Sequence, residues 1–197
     1  MQVTTSEFWD EKYISGNTKW DLGKSTPVFD HWIAKYKFPL KICVLGAGNG
    51  WDAINFSILG HDVTAVDFSN IAIENMKKYC NKNDIKMSIL KMDILKLNSK
   101  FKKYFDIVIE YTCFCAISPV LRREYLQVVY DILSPEGKFA ALLFPIDKTT
   151  TDGPPYAIEI DYIVPLISSY MNLVEINIPI NSVPMRQDRE IFVLYEK

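Results

Sequence analysis

Three glycines at alternate positions follow a short apolar segment at residues 42–45. Gly46, Gly48 and Gly50 stand between this segment and an amphipathic stretch that begins at Trp51. A strand that ends in a glycine-rich turn and leads into a helix is typical of the nucleotide-binding corner of a doubly wound α/β sheet. Glycine suits this turn because it adopts dihedral angles that other residues resist and lets a ligand lie close to the backbone.

Two aspartates follow the next two predicted strands. Asp67 lies about 20 residues after Gly48, the spacing at which an acidic side chain accepts hydrogen bonds from a ribose. Asp93 ends the following strand, where it could meet an adenine amino group. Each aspartate alone could instead cap a turn or a helix. Because the carboxyl ends of parallel strands share one edge of the sheet, the set of strand ends favours a ligand site there.

The residue at position 51 narrows the choice of ligand. A dinucleotide site has a small residue at the sixth position of G-x-G-x-x-G/A, and here that residue is Trp51. The glycine turn is also not followed by the G-K-[ST] of a P-loop, because Trp51 and Asp52 come directly after Gly50, and the chain lacks any His, Tyr or Lys constellation typical of an NAD-dependent oxidoreductase. Gly46, Gly48 and Gly50 match instead the G-x-G-x-G variant used by S-adenosylmethionine enzymes.

Strand and helix patterns alternate along the chain, as in βαβ units with a parallel sheet. Helices are predicted from Thr26-Pro27, with Thr26 as N-cap, over 51–59 and 70–81, from Ser118-Pro119 to about 133, and over 161–170. Residues 134–137 are predicted to form a turn. The predicted strands are 41–45, 61–67, 86–92, 105–109, 138–144, 173–178 and 190–196.

Composition excludes several classes of protein. A chain of 197 residues predicts one domain, and 49% apolar with 23% charged residues is typical of a folded globular protein. A net charge of −2 without a basic block argues against nucleic-acid binding. The apolar runs fall short of the roughly 20 residues of a membrane span, and the N-terminus shows no signal-peptide pattern.

The cysteines and histidines do not predict a metal site. The four cysteines have neither metal-site nor disulfide-framework spacing, which favours reduced thiols and a cytoplasmic location. His31 and His61 are isolated from each other and are interpreted as structural. The expected partner is a small-molecule acceptor, and the expected assembly is a monomer or a weak homodimer.

Several motifs resemble the thiopurine methyltransferase family, and within it the plant halide/thiol methyltransferase branch. The resemblance covers nearly the whole chain, and its most specific elements are the Trp-Asp-x-Gly-x-x-x-Pro and Gly-Pro-Pro-Tyr motifs. One position departs from the plant branch, which has a second tryptophan where this chain has Tyr13. The matching segments are Trp9 to Tyr13, Trp20 to Pro27, Val44 to Gly50, Asp67, Asp93, Tyr111, Phe114 to Ile117, Pro119, Arg122, Gly153 to Tyr156 and Pro184 to Arg186.

The resemblance implies a class I methyltransferase domain over 1–197. Residues 1–38 would form an N-terminal lid and helix, and residues 39–197 a Rossmann-like core. The core would contain a mostly parallel seven-stranded sheet whose last strand is antiparallel. The implied cofactor is S-adenosylmethionine, with S-adenosylhomocysteine as product. The implied cofactor contacts are Trp9, Tyr13, Trp20, Gly46, Gly48, Gly50, Asp67, Asp93, Ile94 and Tyr111.

Methyl transfer from a sulfonium is an in-line displacement, which requires alignment of nucleophile, methyl group and leaving sulfur. Aromatic faces attract the sulfonium cation, although the same aromatic residues could simply pack the N-terminal segment onto the sheet. A soft anion such as thiolate, hydrosulfide, thiocyanate or halide needs desolvation and positioning more than a general base.

Residues on the acceptor side follow from the same comparison. Tyr111 and Arg122 are predicted to be catalytic, and Arg122 matches a substrate-side arginine of the thiopurine branch. Phe114, Cys115, Arg122, Tyr156 and Arg186 are predicted to bind the acceptor. Two alternatives stay open: a methyltransferase with an oxygen, nitrogen or metalloid acceptor, and a non-catalytic cofactor-binding regulatory module.

Overall fold

The computed structural model describes residues 4–197, and within this range the strands form one seven-stranded sheet. The strands lie in the order β3-β2-β1-β4-β5-β7-β6. β7 runs antiparallel to β5 and β6, and the other neighbouring pairs are parallel. The predicted doubly wound sheet with an antiparallel last strand is therefore confirmed. The strands are β1 (Lys41–Leu45), β2 (Asp62–Asp67), β3 (Ser88–Lys91), β4 (Phe105–Tyr111), β5 (Leu133–Leu143), β6 (Asn172–Asn177) and β7 (Ile191–Glu196).

Helices cover both faces of this sheet, so its central strands are buried on both sides. Ile42 and Val44 of β1 belong to one hydrophobic cluster, and Cys43 and Leu45 to the other. This alternation follows from the two-residue repeat of a strand. The helices are α1 (Ser6–Ile14), α2 (Pro27–Ile33), α3 (Trp51–Ile58), α4 (Asn70–Lys82), α5 (Arg122–Ile132) and α6 (Ile160–Ser168).

Several predicted boundaries differ from those of the structure by one to five residues, and two of the differences have a clear structural cause. β3 covers Ser88–Lys91 instead of 86–92, because it pairs with β2 alone and only over Thr64 to Asp67. β5 begins at Leu133, and the predicted turn at 134–137 is a bulge within it. The partner of β4 shifts there from Leu133 to Lys138, and Glu136 adopts a φ of 62°.

The first helix was not predicted from the sequence. α1 has no fully buried residue, so it lacks the apolar stripe by which a helix is recognised in a sequence. Polar contacts hold it instead: the Asp10 carboxylate accepts hydrogen bonds from Ser69 Oγ (2.6 Å), Asn70 Nδ2 (2.8 Å) and the Ile71 amide (3.2 Å). α1 is therefore docked on the N-terminus of α4. Residues 1–3 of the predicted lid lie outside the described residues.

Thr26 stands at the N-cap position of α2, but its side chain does not cap that helix. Its amide and hydroxyl both donate to the Asp52 carboxylate of α3, at 2.6 and 2.9 Å. The predicted capping contact is therefore wrong, because the partly buried Asp52 carboxylate competes for the hydroxyl. Burial raises the pKa of Asp52 to about 6.

No helix within residues 4–197 is both long enough and apolar enough to cross a bilayer.

Candidate active site

The carboxyl ends of the parallel strands open into a cleft of about 810 Å³. This volume is within the range of small-molecule sites. The predicted site residues that line the cleft are Trp9, Tyr13, Trp20, Gly46, Asp67, Asp93, Ile94, Cys115 and Arg186. The remaining predicted site residues, Gly48, Gly50, Tyr111, Phe114, Arg122 and Tyr156, do not line it.

The glycine turn approaches its neighbours too closely for any side chain. Gly48 has a φ of 56°, and a Cβ there would lie 2.9 Å from Tyr13 Oη. Gly50 has a φ of 83°, and a Cβ there would lie 2.6 Å from Met76 Cγ of α4. Glycine is thus required at these positions by backbone conformation and by packing within the protein.

Asp67 fixes the glycine turn to the end of β2. Its Oδ2 accepts a hydrogen bond from the Gly48 amide at 2.8 Å, and its Oδ1 accepts one from the Ser69 amide at 2.9 Å. Burial raises the pKa of this carboxyl group, although these backbone hydrogen bonds act in the opposite direction. Each carboxylate oxygen has a second lone pair, which leaves capacity for ligand hydroxyls.

Asp93 caps a helix, which is one of the two interpretations that the sequence left open, and it also lies in the cleft. Its Oδ1 accepts a hydrogen bond from the Leu95 amide at 3.0 Å, which caps the 3₁₀ helix Ile94–Ser99. The same residue also lines the cleft, next to Ile94. The capping role and the cleft position therefore coexist.

Aromatic side chains of α1 and the loop after it form one wall of the cleft. Trp20 meets Trp9 and Tyr13 edge to face, with ring centroids 5.3 and 5.7 Å apart. The indole Nε1 of Trp20 donates a hydrogen bond to Tyr13 Oη at 3.3 Å. Burial raises the pKa of the Tyr13 hydroxyl. A wall of three aromatic rings in a recessed cleft suits a sulfonium cation.

Tyr111 lies beside the cleft and not within it. It lines an adjoining cavity of about 60 Å³, together with Trp20 and Gly48. Its hydroxyl donates to Glu190 Oε2 at 2.7 Å, and burial raises its pKa. The Arg186 guanidinium lies 4.6 Å from the centroid of its ring.

Phe114, Arg122 and Tyr156 lie behind the wall of the cleft. The Arg122 guanidinium stacks over the Phe114 ring at 5.0 Å, and its Nη2 donates to the Ala157 carbonyl oxygen at 3.1 Å. The Tyr156 amide donates to the Cys115 carbonyl oxygen at 2.6 Å. These contacts hold the loop whose Pro154 and Pro155 line the cleft.

Arg186 is 3% exposed and reaches the cleft from the 3₁₀ helix Pro184–Arg186. Its Nη2 donates to the Trp20 carbonyl oxygen at 2.8 Å, and its Nη1 has no hydrogen-bond partner. By contrast, Arg189 in the same cleft is paired with Asp147 at 2.7 Å. Within residues 4–197 neither Arg186 nor Arg122 forms an ion pair. Arg186 therefore brings a buried positive charge to the cleft, and no carboxylate among the described residues lies within ion-pair distance of it.

Glu110 is a site-organising residue that sequence reasoning missed. Its Oε1 accepts hydrogen bonds from the amides of Cys113 (3.1 Å) and Phe114 (2.7 Å), and its Oε2 accepts one from Tyr125 Oη (2.8 Å). These bonds shape the loop that carries Cys113 and Cys115 into the cleft. The available signal was a lone acidic residue at the end of the apolar run of β4. Burial raises the pKa of Glu110 to about 7.

The Glu110→Gln substitution is expected to change how stability depends on pH. The pKa of Glu110 is raised from 4.5 to about 7, so its contribution to stability is complete below about pH 4.5 and is lost as the pH rises through 7. Glutamine keeps an acceptor for the two amides but does not ionise. The Tm advantage of the wild type over the variant should therefore shrink by on the order of 5 °C between pH 5 and pH 8.

Thermal unfolding at the two pH values measures this difference. Glu110→Ala is the control, because it leaves the two amides and the Tyr125 hydroxyl without their acceptor and should lower Tm at both pH values. A wild-type advantage that stays constant with pH would show that Glu110 does not titrate in this range.

Comparison with known proteins identifies the family. The sequence profile described as thiopurine S-methyltransferase matches residues 4–186. Probable thiol methyltransferase 2 from Arabidopsis thaliana is 33% identical over 163 residues, which is 81% of this chain and 71% of that protein. Thiocyanate methyltransferase 1 from Brassica oleracea is 30% identical over 166 residues, with 80% and 72% covered.

Solved structures with low sequence identity share the fold. The 1,6-didemethyltoxoflavin-N1-methyltransferase of Burkholderia thailandensis, crystallised with S-adenosylhomocysteine, aligns with a TM-score of 0.75 at 18% identity. The alignment covers 98% of this chain and 86% of that one. A TehB-like methyltransferase from Corynebacterium glutamicum aligns with a TM-score of 0.70 at 16% identity, covering 98% and 97%. The family match and the shared fold together show that this chain belongs to the thiopurine S-methyltransferase family and is an S-adenosylmethionine-dependent methyltransferase.

Proposed function

We propose that the chain methylates a small, soft nucleophile by direct in-line displacement. The acceptor class comprises thiolates, hydrosulfide, thiocyanate, halides and thiopurine-like sulfur. The observation that carries this proposal is Arg186, a buried guanidinium that lines the cleft without a carboxylate partner among the described residues. The names of the plant relatives, thiol and thiocyanate methyltransferases, support the same class.

The donor side of the proposal uses the strand ends and the aromatic wall. When bound, S-adenosylmethionine supplies an electrophilic methyl group on a positively charged sulfur. Asp67 would accept hydrogen bonds from the ribose hydroxyls, and Asp93 with Ile94 would contact the adenine. Trp9, Tyr13 and Trp20 would surround the sulfonium and exclude water. Residues 1–38, which include these three, would form a lid on the core formed by residues 39–197.

Methylation of a soft anion requires a positive charge and the exclusion of water from the acceptor site more than it requires a general base. The described residues that line the cleft include no histidine, and its two carboxylates, Asp67 and Asp93, lie at the strand ends. A soft anion needs no proton removed at the moment of transfer. Arg186 would attract and orient that anion, because a buried cation without a carboxylate partner is costly until an anion arrives.

The residues behind the wall would act indirectly. Arg122 is expected to hold the 153–157 loop through Ala157 and to add positive potential on the acceptor side. Phe114 supports its guanidinium, and Tyr156 anchors the loop to Cys115. Tyr111 would support Arg186 through its ring. Of the predicted acceptor contacts, Cys115 and Arg186 would touch the acceptor itself.

A metalloid acceptor is a second candidate, favoured by one observation. Two thiols, Cys113 and Cys115, line the cleft. Burial raises the pKa of both thiols, so they would enter any such site protonated. Trivalent and tetravalent metalloids bind thiols readily, in keeping with the softness of sulfur ligands.

An acceptor screen with methyl-labelled S-adenosylmethionine tests the proposal. The acceptors are iodide, thiocyanate, hydrosulfide, an aromatic thiol, a thiopurine and tellurite, with a phenol and an amine as controls. Turnover of the soft anions far above that of the phenol and the amine is expected. Preferential turnover of tellurite would favour the metalloid candidate, and a preference for the phenol or the amine would contradict both. Binding of S-adenosylhomocysteine without turnover of any acceptor in the screen would contradict the proposed acceptor class.

A further inference from the structure

The carboxylate of Asp21 joins the lid segment to the glycine turn. Its Oδ1 accepts hydrogen bonds from the Trp51 indole Nε1 at 2.7 Å and from the Gly23 amide at 2.8 Å. Its Oδ2 accepts one from Asn49 Nδ2. Two of these donors belong to the nucleotide-binding corner, and the third belongs to the lid loop itself.

The hydrogen bonds to Asp21 explain why Asn49 and Trp51 stand in the glycine turn and at the start of the helix that follows it. Trp51 stands where a dinucleotide fold has a small residue, and its indole packs edge to face on Tyr79 with centroids 5.1 Å apart while its N–H points to Asp21. Asn49 is held from its other side, because its Oδ1 accepts a hydrogen bond from Asn75 Nδ2 at 3.1 Å. The corner therefore presents two pre-oriented donors to a single carboxylate.

The residue next to Asp21 connects the same segment to the acceptor side. Arg186 donates to the Trp20 carbonyl oxygen, and the Trp20 indole donates to Tyr13 Oη. Trp20 also lines the cleft. A displacement of Asp21 would thus move the aromatic wall and one of the hydrogen-bond partners of Arg186 together.

We propose that Asp21 is a positioning residue that latches the lid onto the glycine turn and so sets Trp20 over the cofactor. The inference rests on the proposed function in one respect, the role of the aromatic segment as a lid over the cofactor. The identity of the acceptor does not enter it. Loss of the latch should weaken cofactor binding and open the lid without unfolding the core.

A reciprocal exchange of side chains tests the latch. In Asp21→Asn the new amide group must face one of the donors, Asn49 Nδ2, Trp51 Nε1 or the Gly23 amide. In Asn49→Asp two carboxylates face each other. Each single variant should weaken S-adenosylhomocysteine binding by about tenfold. The double variant D21N/N49D restores a donor and an acceptor with their places exchanged, and its affinity should return to within about threefold of the wild type.

Two readouts separate a latch from a general structural role. Calorimetry gives the affinity for S-adenosylhomocysteine, and hydrogen exchange of residues 6–25 with and without that ligand gives the closure of the lid. Asp30→Asn is the matched control, because Asp30 also joins residues 1–38 to α3, through Ser25 Oγ (2.7 Å) and Asn55 Nδ2 (2.6 Å), but it bonds to no residue of the glycine turn and does not line the cleft. It should change Tm and leave affinity and lid exchange unchanged.

Ligand-dependent lid protection that is reduced in D21N and recovered in the double variant would support the proposal. Wild-type affinity and lid exchange in D21N would overturn it, as would a double variant no better than the singles. Equal losses of affinity in D21N and D30N would also overturn it, because the effect would then be general. A failed acceptor screen would leave these binding measurements intact, so the two proposals fail separately.

Discussion

Replacement of Asp67 by alanine should weaken binding of S-adenosylhomocysteine by about 10- to 100-fold. Hydrogen bonds to a charged group contribute about 1.5–3 kcal/mol, and each 1.4 kcal/mol is a factor of ten in affinity. The substitution removes the proposed acceptor of the ribose hydroxyls. It also releases the amides of Gly48 and Ser69, so the glycine turn loses the contact that fixes it to β2.

Isothermal titration calorimetry measures this loss, and Asp62→Ala provides the matched control. Asp62 is an exposed aspartate at the opposite end of the same strand, away from the cleft. The control variant should bind as the wild type does. Unchanged affinity in Asp67→Ala would remove this residue from the cofactor site, whereas equal losses in both variants would point to damage of β2 as a whole.

The acidity of Asp67 adds a dependence on pH. Burial raises the pKa of this group in the folded protein, so it takes up a proton at a higher pH than an exposed aspartate does. The proposed ribose contact favours the carboxylate form, and affinity for the cofactor product should therefore fall as the pH decreases. Asp67→Asn removes this titration, and its weaker affinity should depend less on pH over the same range.

The sequence predicts those site residues that lie at or just after the carboxyl end of a strand. Asp67 ends β2 and Asp93 follows the end of the neighbouring parallel strand β3, and the geometry of a parallel sheet brings such ends to one edge whatever else the chain does. Both residues line the cleft, as does Gly46. Local pattern and sheet topology are sufficient for these three.

Residues held by distant partners could not be placed in this way. Arg186 contacts Trp20, 166 positions away, and Tyr111 contacts Glu190, 79 positions away. Arg122 begins α5 directly after the 3₁₀ helix Pro119–Leu121, and a 3.6-residue period does not fix the direction of the first side chain. The sequence therefore indicated that Arg122 belongs to the acceptor side of the site, but not that its side chain lies behind the residues that line the cleft.

The second large effect is expected from Arg186→Met, which should reduce kcat/KM for thiocyanate or iodide by about 100-fold. Methionine keeps much of the side-chain volume between Tyr111 and Phe144, whose ring centroids lie 4.6 and 5.0 Å from the guanidinium, but removes the charge. Because the proposed contact is with the acceptor, S-adenosylhomocysteine affinity should fall much less than kcat/KM. Steady-state kinetics and calorimetry on the same preparation give both quantities.

Arg189→Met is the control for this prediction, since Arg189 lines the same cleft while its charge is already balanced by Asp147. The two substitutions remove the same charge from the same cleft, so a general electrostatic effect would lower turnover equally in both. A much larger loss in Arg186→Met identifies the unpaired guanidinium as the anion contact. Arg186→Lys should recover part of the activity, because it restores the charge without the planar fork that reaches the Trp20 carbonyl oxygen. If cofactor affinity in Arg186→Met falls as far as turnover does, the residue acts on the lid through Trp20, and the acceptor must be held elsewhere in the cleft.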